Sequence, residues 1–249
     1  MPVHRDISLS DSIANHSNIK HAAHCLLYFI RVDDTEQSKE CVDGTKESKE
    51  CVDYAEESKE CVDDIQGPEL SGVCYGLMQM RSDGRIGFPG GCIDGEIDSS
   101  GREILDGLNR ELLEEINYQE EPIEDCDYVC SHHRIGDSGS AARDDHQLPM
   151  ILHFHAKRLS ENQIKLIEST HTGGRDFPEE SLGLFRVLVT WKCRPDGSKD
   201  FNTRSNRLFW PNFQTMHFVG NSFQQLLIAL RKEGVTNDDF QKTFAISPL

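Results

Sequence analysis

The chain has 249 residues, 37% of them hydrophobic and 8% aromatic, enough to bury one sizeable core and to carry insertions around it. Its formal charge is −17, and 13 acidic against 4 basic residues between Asp33 and Asp64 supply −9 of that. A broad basic face that would hold nucleic acid by its phosphates is therefore excluded, so any RNA substrate has to be gripped locally, at its end.

Residues 1–18 carry charged and polar groups with no apolar signal segment, and they read as a loose leader with a short helix from Ser10. No stretch reaches the roughly eighteen apolar residues of a membrane span. Nine cysteines, an odd number in no disulfide framework, predict free thiols in a reducing compartment, cytosol or nucleus. From His21 to Ile30 the chain settles into an apolar run of strand length, with His24 at its start. Between Asp33 and Gln66 the unit Ser38-Lys39-Glu40-Cys41-Val42-Asp43 recurs at Ser48 and again at Ser58. One valine per unit cannot offset the entropy of ordering it, so a disordered insertion is expected. The spacing of Cys41, Cys51 and Cys61 matches no zinc pattern.

A strand is predicted over Val73–Arg81, and the turn Ser82-Asp83-Gly84-Arg85 delivers the chain to Phe88-Pro89-Gly90-Gly91. A helix follows over about 103–117. At 100° per residue, Leu105, Leu108, Leu112 and Ile116 share an arc of about 80°, while Glu111, Glu114 and Glu115 share an adjoining arc of about 100°. Clustered like charges repel by a few tenths of a kcal/mol per pair, and a hard divalent cation relieves them, although a solvated glutamate-rich face has the same pattern. Further strands are predicted over Cys126–His133, Met150–Lys157 and Leu182–Trp191, with helices from the Ser160 cap to Ile167 and over Gly220–Lys232. Strands flanked by helices on both faces predict an α+β domain, an α/β/α sandwich with a mixed sheet, over residues 19–249. Insertions are placed at 33–66, 134–148 and 194–206.

The glycine pair with Arg110-Glu111-Leu112-Leu113-Glu114-Glu115 resembles the Nudix box, although Asn117 stands at its glycine and Arg102 at its first glutamate. The segments His21–Tyr28, Leu77–Arg81, Gly84–Gly91, Asp106–Leu112, His153–Leu159, Phe218–Gly220 and Gln225–Leu227 are similar to one branch of that superfamily, the snoRNA-decapping and inosine-diphosphate-hydrolysing enzymes. The resemblance implies a pyrophosphohydrolase using Mg²⁺ or Mn²⁺ held by Glu111, Glu114 and Glu115, with a carbonyl such as that of Gly90 joining the shell. It implies that Arg110 orients a glutamate. Glu180 is the candidate general base, with Glu115 or Glu179 as alternatives. His24, Arg81, Phe88 and Gln225 match residues lining a purine pocket, and His132 matches a histidine near the phosphates, with His133 in reserve. A purine nucleotide or a capped RNA end is the implied substrate, in nucleus or cytoplasm, and homodimers occur in the family. ADP-ribose hydrolysis, or a Nudix fold that binds RNA or protein without catalysis, are the alternatives.

Overall fold

The computed structural model describes residues 3–15, 19–31, 73–135, 149–189 and 215–235. In chain order they form β1 (Val3–Ile7), α1 (Leu9–Asn15), β2 (Lys20–Arg31), β3 (Val73–Arg81), β4 (Ile86–Gly87), β5 (Gly90–Cys92) and α2 (Arg102–Ile116). After these come β6 (Tyr128–Ile135), β7 (Met150–Arg158), α3 (Glu161–Thr170), β8 (Ser181–Leu188) and α4 (Ser222–Lys232). The acidic repeat and the two polar insertions lie outside the described residues, apart from Arg134 and Ile135 at the end of β6.

One sheet runs β1-β6-β7-β2-β3-β4, with β5 beside β2 and β8 beside β3. The β2–β7 pair is parallel and the other strand pairs are antiparallel, which makes the sheet mixed. Central β2 is buried on both faces because its apolar run is nearly continuous, as a strand covered by helices on both sides requires. Its odd-numbered residues Ala23, Cys25, Leu27 and Phe29 pack with Leu108, Leu112 and Ile116 of α2 and Ile164 and Ile167 of α3. Its even-numbered residues Leu26 and Tyr28 pack with Met78, Phe88, Phe154 and Leu226, Leu227 and Leu230 of α4. The strand period of two thus sends alternate residues into two cores, and the predicted α/β/α sandwich is observed.

Two local results differ from the sequence expectation. In the segment read as a loose leader, the short helix expected from Ser10 is α1, but Val3–Ile7 forms an edge strand that was not expected. Val3–Ile7 pairs antiparallel with β6 in the register Asp6↔His132, and this long-range ladder is what orders it. On α2 the aliphatic stripe is rotated slightly, so that Ile104 is buried and Leu105 only half-buried. The helix ends on Asn117 at φ 52°, with its N–H on Leu113 O and that of Tyr118 on Leu112 O. After glycine, asparagine is the residue best suited to that left-handed cap, so the departure from the Nudix glycine keeps the same turn. Among the described residues no helix is long and apolar enough to cross a membrane.

Candidate active site

A cavity of about 400 Å³ opens between the C-terminal half of α2, the glycines of β5, the loop before β8 and the N-terminus of α4. It brings together eight of the eleven residues singled out in the sequence. Gly90, Arg110, Glu111, Glu114 and Glu180 line one end, and His24, Arg81 and Gln225 also line it.

At the α2 end the carboxylates are held in fixed places. Gly91 has no room for a side chain, since a Cβ there would stand 2.4 Å from Glu111 Oε2. Gly90 sits at φ 127° against the backbone of Ala23, where a Cβ would meet the carbonyl oxygen at 2.2 Å, so glycine is required both by conformation and by space. Its N–H donates to Glu115 Oε2 at 2.7 Å, and Gln79 Nε2 donates to Oε1 at 3.3 Å. Glu115 is 1% exposed, and burial pushes its pKa up to about 7 against those two donors. Burial also raises Glu111, partly opposed by Arg110. Arg110 donates from Nη1 to Glu114 Oε2 at 2.6 Å and from Nη2 to Glu111 Oε1 at 2.8 Å, so one planar fork spaces two carboxylates. Glu114 Oε1 accepts from Arg175 Nη1 at 2.7 Å.

Among the described residues no group of three or more His, Cys, Asp and Glu side chains stands as a ready ligand set. The donors nevertheless suit a hard cation. Glu111 and Glu114 present carboxylate oxygens to the cavity, Glu115 stands behind them, and Glu180 and Asp176 line the same space. Two guanidinium groups pair with the oxygens of Glu114, so its charge is balanced by arginine.

The α4 end has a different character. Gln225 is 2% exposed and Asn221 4%, and their amide nitrogens Nε2 and Nδ2 have no hydrogen-bond partner among the described residues. Both residues line the cavity, and an unpaired buried donor is costly unless something else accepts from it. His24 is half-buried at the wall, its pKa lowered to about 4 by burial and secondarily by Arg81, and so is neutral at pH 7.

Three of the eleven singled-out residues stand outside the cavity lining. Phe88 does not face the cavity: it is 1% exposed and tilts against Phe154 with ring centroids 4.9 Å apart, a core residue behind the wall rather than a stacking surface. His132 is fully buried on β6, with Nε2 2.9 Å from Oδ1 of Asp6 on the neighbouring β1, and does not line the cavity. That neighbouring strand belongs to the segment read as a loose leader. Glu115 also stands outside the lining, in the layer beneath. The reserve residue His133 and the alternative base Glu179 are likewise absent from the lining. Conversely Asn221, Arg134, Arg175 and Asp176 line the cavity without having been singled out. Only Asn221 carried a legible signal, lying four residues before Gln225 on what becomes the same helix face.

The Nudt16-like family model, described as U8 snoRNA-decapping enzyme-like, matches residues 51–236. The chain is 37% identical over 162 residues to a U8 snoRNA-decapping enzyme of Ovis aries, covering 64% of this chain and 69% of that protein. It is 35% identical over 156 residues to the Tudor-interacting repair regulator protein of Homo sapiens, covering 62% of this chain and 61% of that protein. A solved mutT/nudix family protein from Listeria innocua aligns at a TM-score of 0.42 and 10% identity, over 89% of this chain and 96% of that one, a loose likeness. Nudix hydrolases generally use divalent metals. Since the family match spans well over half of its length, and Glu111 and Glu114 line one cavity with Glu115 directly behind them, the chain belongs to the Nudt16-like family of Nudix hydrolases, which act on phosphoric anhydrides.

Proposed function

We propose that the protein hydrolyses the anhydride of purine nucleoside diphosphates such as inosine and deoxyinosine diphosphate, or the 7-methylguanosine cap bridge of a small nucleolar or messenger RNA. The observation that carries this reading is the pair of unpaired buried amide donors, Asn221 and Gln225, in the same cavity as Glu111 and Glu114. Hypoxanthine presents O6 and N7 as neighbouring acceptors, the complement of two amide N–H groups, whereas a 7-methylguanosine cap, methylated at N7, offers only O6 on that edge. His24 and Arg81 stand at the wall, while Glu111, Glu114 and Glu115 with the Gly90 carbonyl would hold Mg²⁺ or Mn²⁺. The cation supplies charge neutralisation at the phosphoryl oxygens and a more acidic water. Glu180 is the proposed base that takes the proton of that water. Its carbonyl accepts from Ser82 N at 3.1 Å and its N–H donates to Asp176 O at 3.0 Å, which anchors it at the cavity mouth. Glu179, outside the lining, is the weaker candidate.

With Mn²⁺ present, purified protein should release monophosphate from inosine diphosphate or nucleotide from capped RNA, and Glu114→Gln should lower the rate by orders of magnitude. Preferential turnover of ADP-ribose in the same panel would transfer the assignment to that substrate class. A binding module without catalysis is the second reading, favoured by the similarity to the Tudor-interacting repair regulator. Absence of turnover on every substrate, with binding retained, would decide for it. Residence in nucleus and cytoplasm and homodimer formation belong to the same proposal, checked by imaging a tagged chain and by light scattering.

A further inference from the structure

Glu114 is clamped on both oxygens by guanidinium groups of unequal standing. Arg110, with 36% of its side chain exposed, is tied to Glu111, Asp94 and the Cys92 carbonyl besides Glu114. Arg175, with 69% exposed, holds among the described residues only Glu114 and its own neighbour Asp176. The backbone under Arg175 is nevertheless fixed. Asp176 N donates to Glu114 O at 3.0 Å, and Gly174 lies so close to α2 that an added Cβ would meet Glu114 O at 2.6 Å and Glu115 O at 2.8 Å. Gly174 has φ −60°, open to any residue, so glycine is needed there for closeness alone. The loop is bolted to the carboxylate helix, and a long charged arm projects from it into the cavity.

A guanidinium and a divalent cation repel each other and compete for the charge on Glu114 Oε1, and of the two arginines the exposed one with fewer bonds is the one that yields. Once off Glu114 it stays within the lining of the same cavity, with a fork of donors that matches the oxygens of a phosphate. We propose that Arg175 is an exchangeable phosphate arm, which neutralises Glu114 when no divalent ion holds it and grips a terminal phosphate of the nucleoside diphosphate when one does. This role rests on the functional reading above and adds to it a residue that the sequence pattern did not mark.

The test uses the full chain with Arg175→Ala and Arg175→Lys, each first shown by thermal melt to be folded. Titration of Mn²⁺ followed by electron paramagnetic resonance, without nucleotide, should show Arg175→Ala binding about 2- to 5-fold more tightly than the parent, the scale of an exposed ion pair. On inosine diphosphate with saturating Mn²⁺, its kcat/KM should fall about 10- to 100-fold, mainly through KM, as expected for a lost charged hydrogen bond. Arg175→Lys should restore the parental Mn²⁺ affinity and only part of KM, since it keeps the charge and loses the fork. Equal or weaker Mn²⁺ binding by Arg175→Ala overturns the exchange, and unchanged kcat/KM overturns the arm. A parent chain that binds Mn²⁺ yet turns over none of the substrates removes the functional reading and the arm with it, while the titration still decides the exchange at Glu114. An active parent with an indifferent Arg175→Ala removes this inference alone.

Discussion

The two ends of the cavity solve opposite problems. At the α2 end there is too much of one charge, and the fold answers with guanidinium clamps on Glu111 and Glu114 and backbone and amide donors on Glu115. At the α4 end the amide nitrogens of Asn221 and Gln225 are buried without acceptors among the described residues. The first end is therefore near electrostatic balance and must be rearranged to work, whereas the second is incomplete and gains by filling. Chemistry belongs where charge is already compensated by replaceable groups, and recognition belongs where hydrogen bonds are left unmade.

Substitutions should separate the two ends. The largest effect is expected for Glu115→Gln, which keeps the shape and the acceptor toward Gly90 but removes the charge: kcat should fall by about 10²-fold or more, with KM little changed. A steady-state assay on inosine diphosphate in Mn²⁺ checks this, and a parental kcat would move the chemistry away from α2. Next comes Gly174→Ala, which should cost about 1–3 kcal/mol of stability, because its Cβ meets backbone that cannot yield without moving the loop. Urea unfolding measures it, and an unchanged midpoint would mean that loop and helix are not locked together.

Acid should weaken the whole frame without favouring either end. His153 and His155 are buried, and burial lowers their pKa values to about 3 and about 4. The unfolded chain protonates them near 6.5 while the folded one does not, so stability is complete above that pH and is lost as pH falls toward the folded values. Each group contributes a loss of about 1.4 kcal/mol per pH unit in that window. Denaturation at pH 7.5 and 5.5 should show the drop, and His153→Gln, which keeps polar contacts toward His21 and Ser131 without titrating, should show less of it. At the α4 end Gln225→Ala should raise KM for inosine diphosphate about 5- to 15-fold with kcat almost unchanged, the loss of one neutral hydrogen bond. An equal fall in kcat would show that the two ends do not act separately. The smallest effect is assigned to Asn117→Ala, below about 1 kcal/mol, because alanine adopts φ 52° less readily than asparagine, while Asn117→Gly should be near neutral.

The sites that were legible and those that were not differ in how far their partners lie along the chain. Glu111, Glu114 and Arg110 share one helix, so the 3.6-residue period already groups them, and the aliphatic stripe beside them names the buried face. His132 and Phe88 also sit in recognisable segments, yet their neighbours Asp6 and Phe154 come from strands 126 and 66 positions away, contacts that no local pattern announces. Arg175 and Asp176 lie in a polar loop with no periodicity, and only the close approach of Gly174 to α2 carries them to the cavity.

The continuous apolar run of β2 and the helical stripe of α2 were enough by themselves to determine a strand covered on both faces and a helix that raises three glutamates beside its buried stripe, because both patterns lie within one element. Which side chains end in the cavity, and which in the layer behind it, was decided only in three dimensions. Strand register joins residues more than a hundred positions apart and loop docking joins residues about sixty apart, and no local period records either pairing.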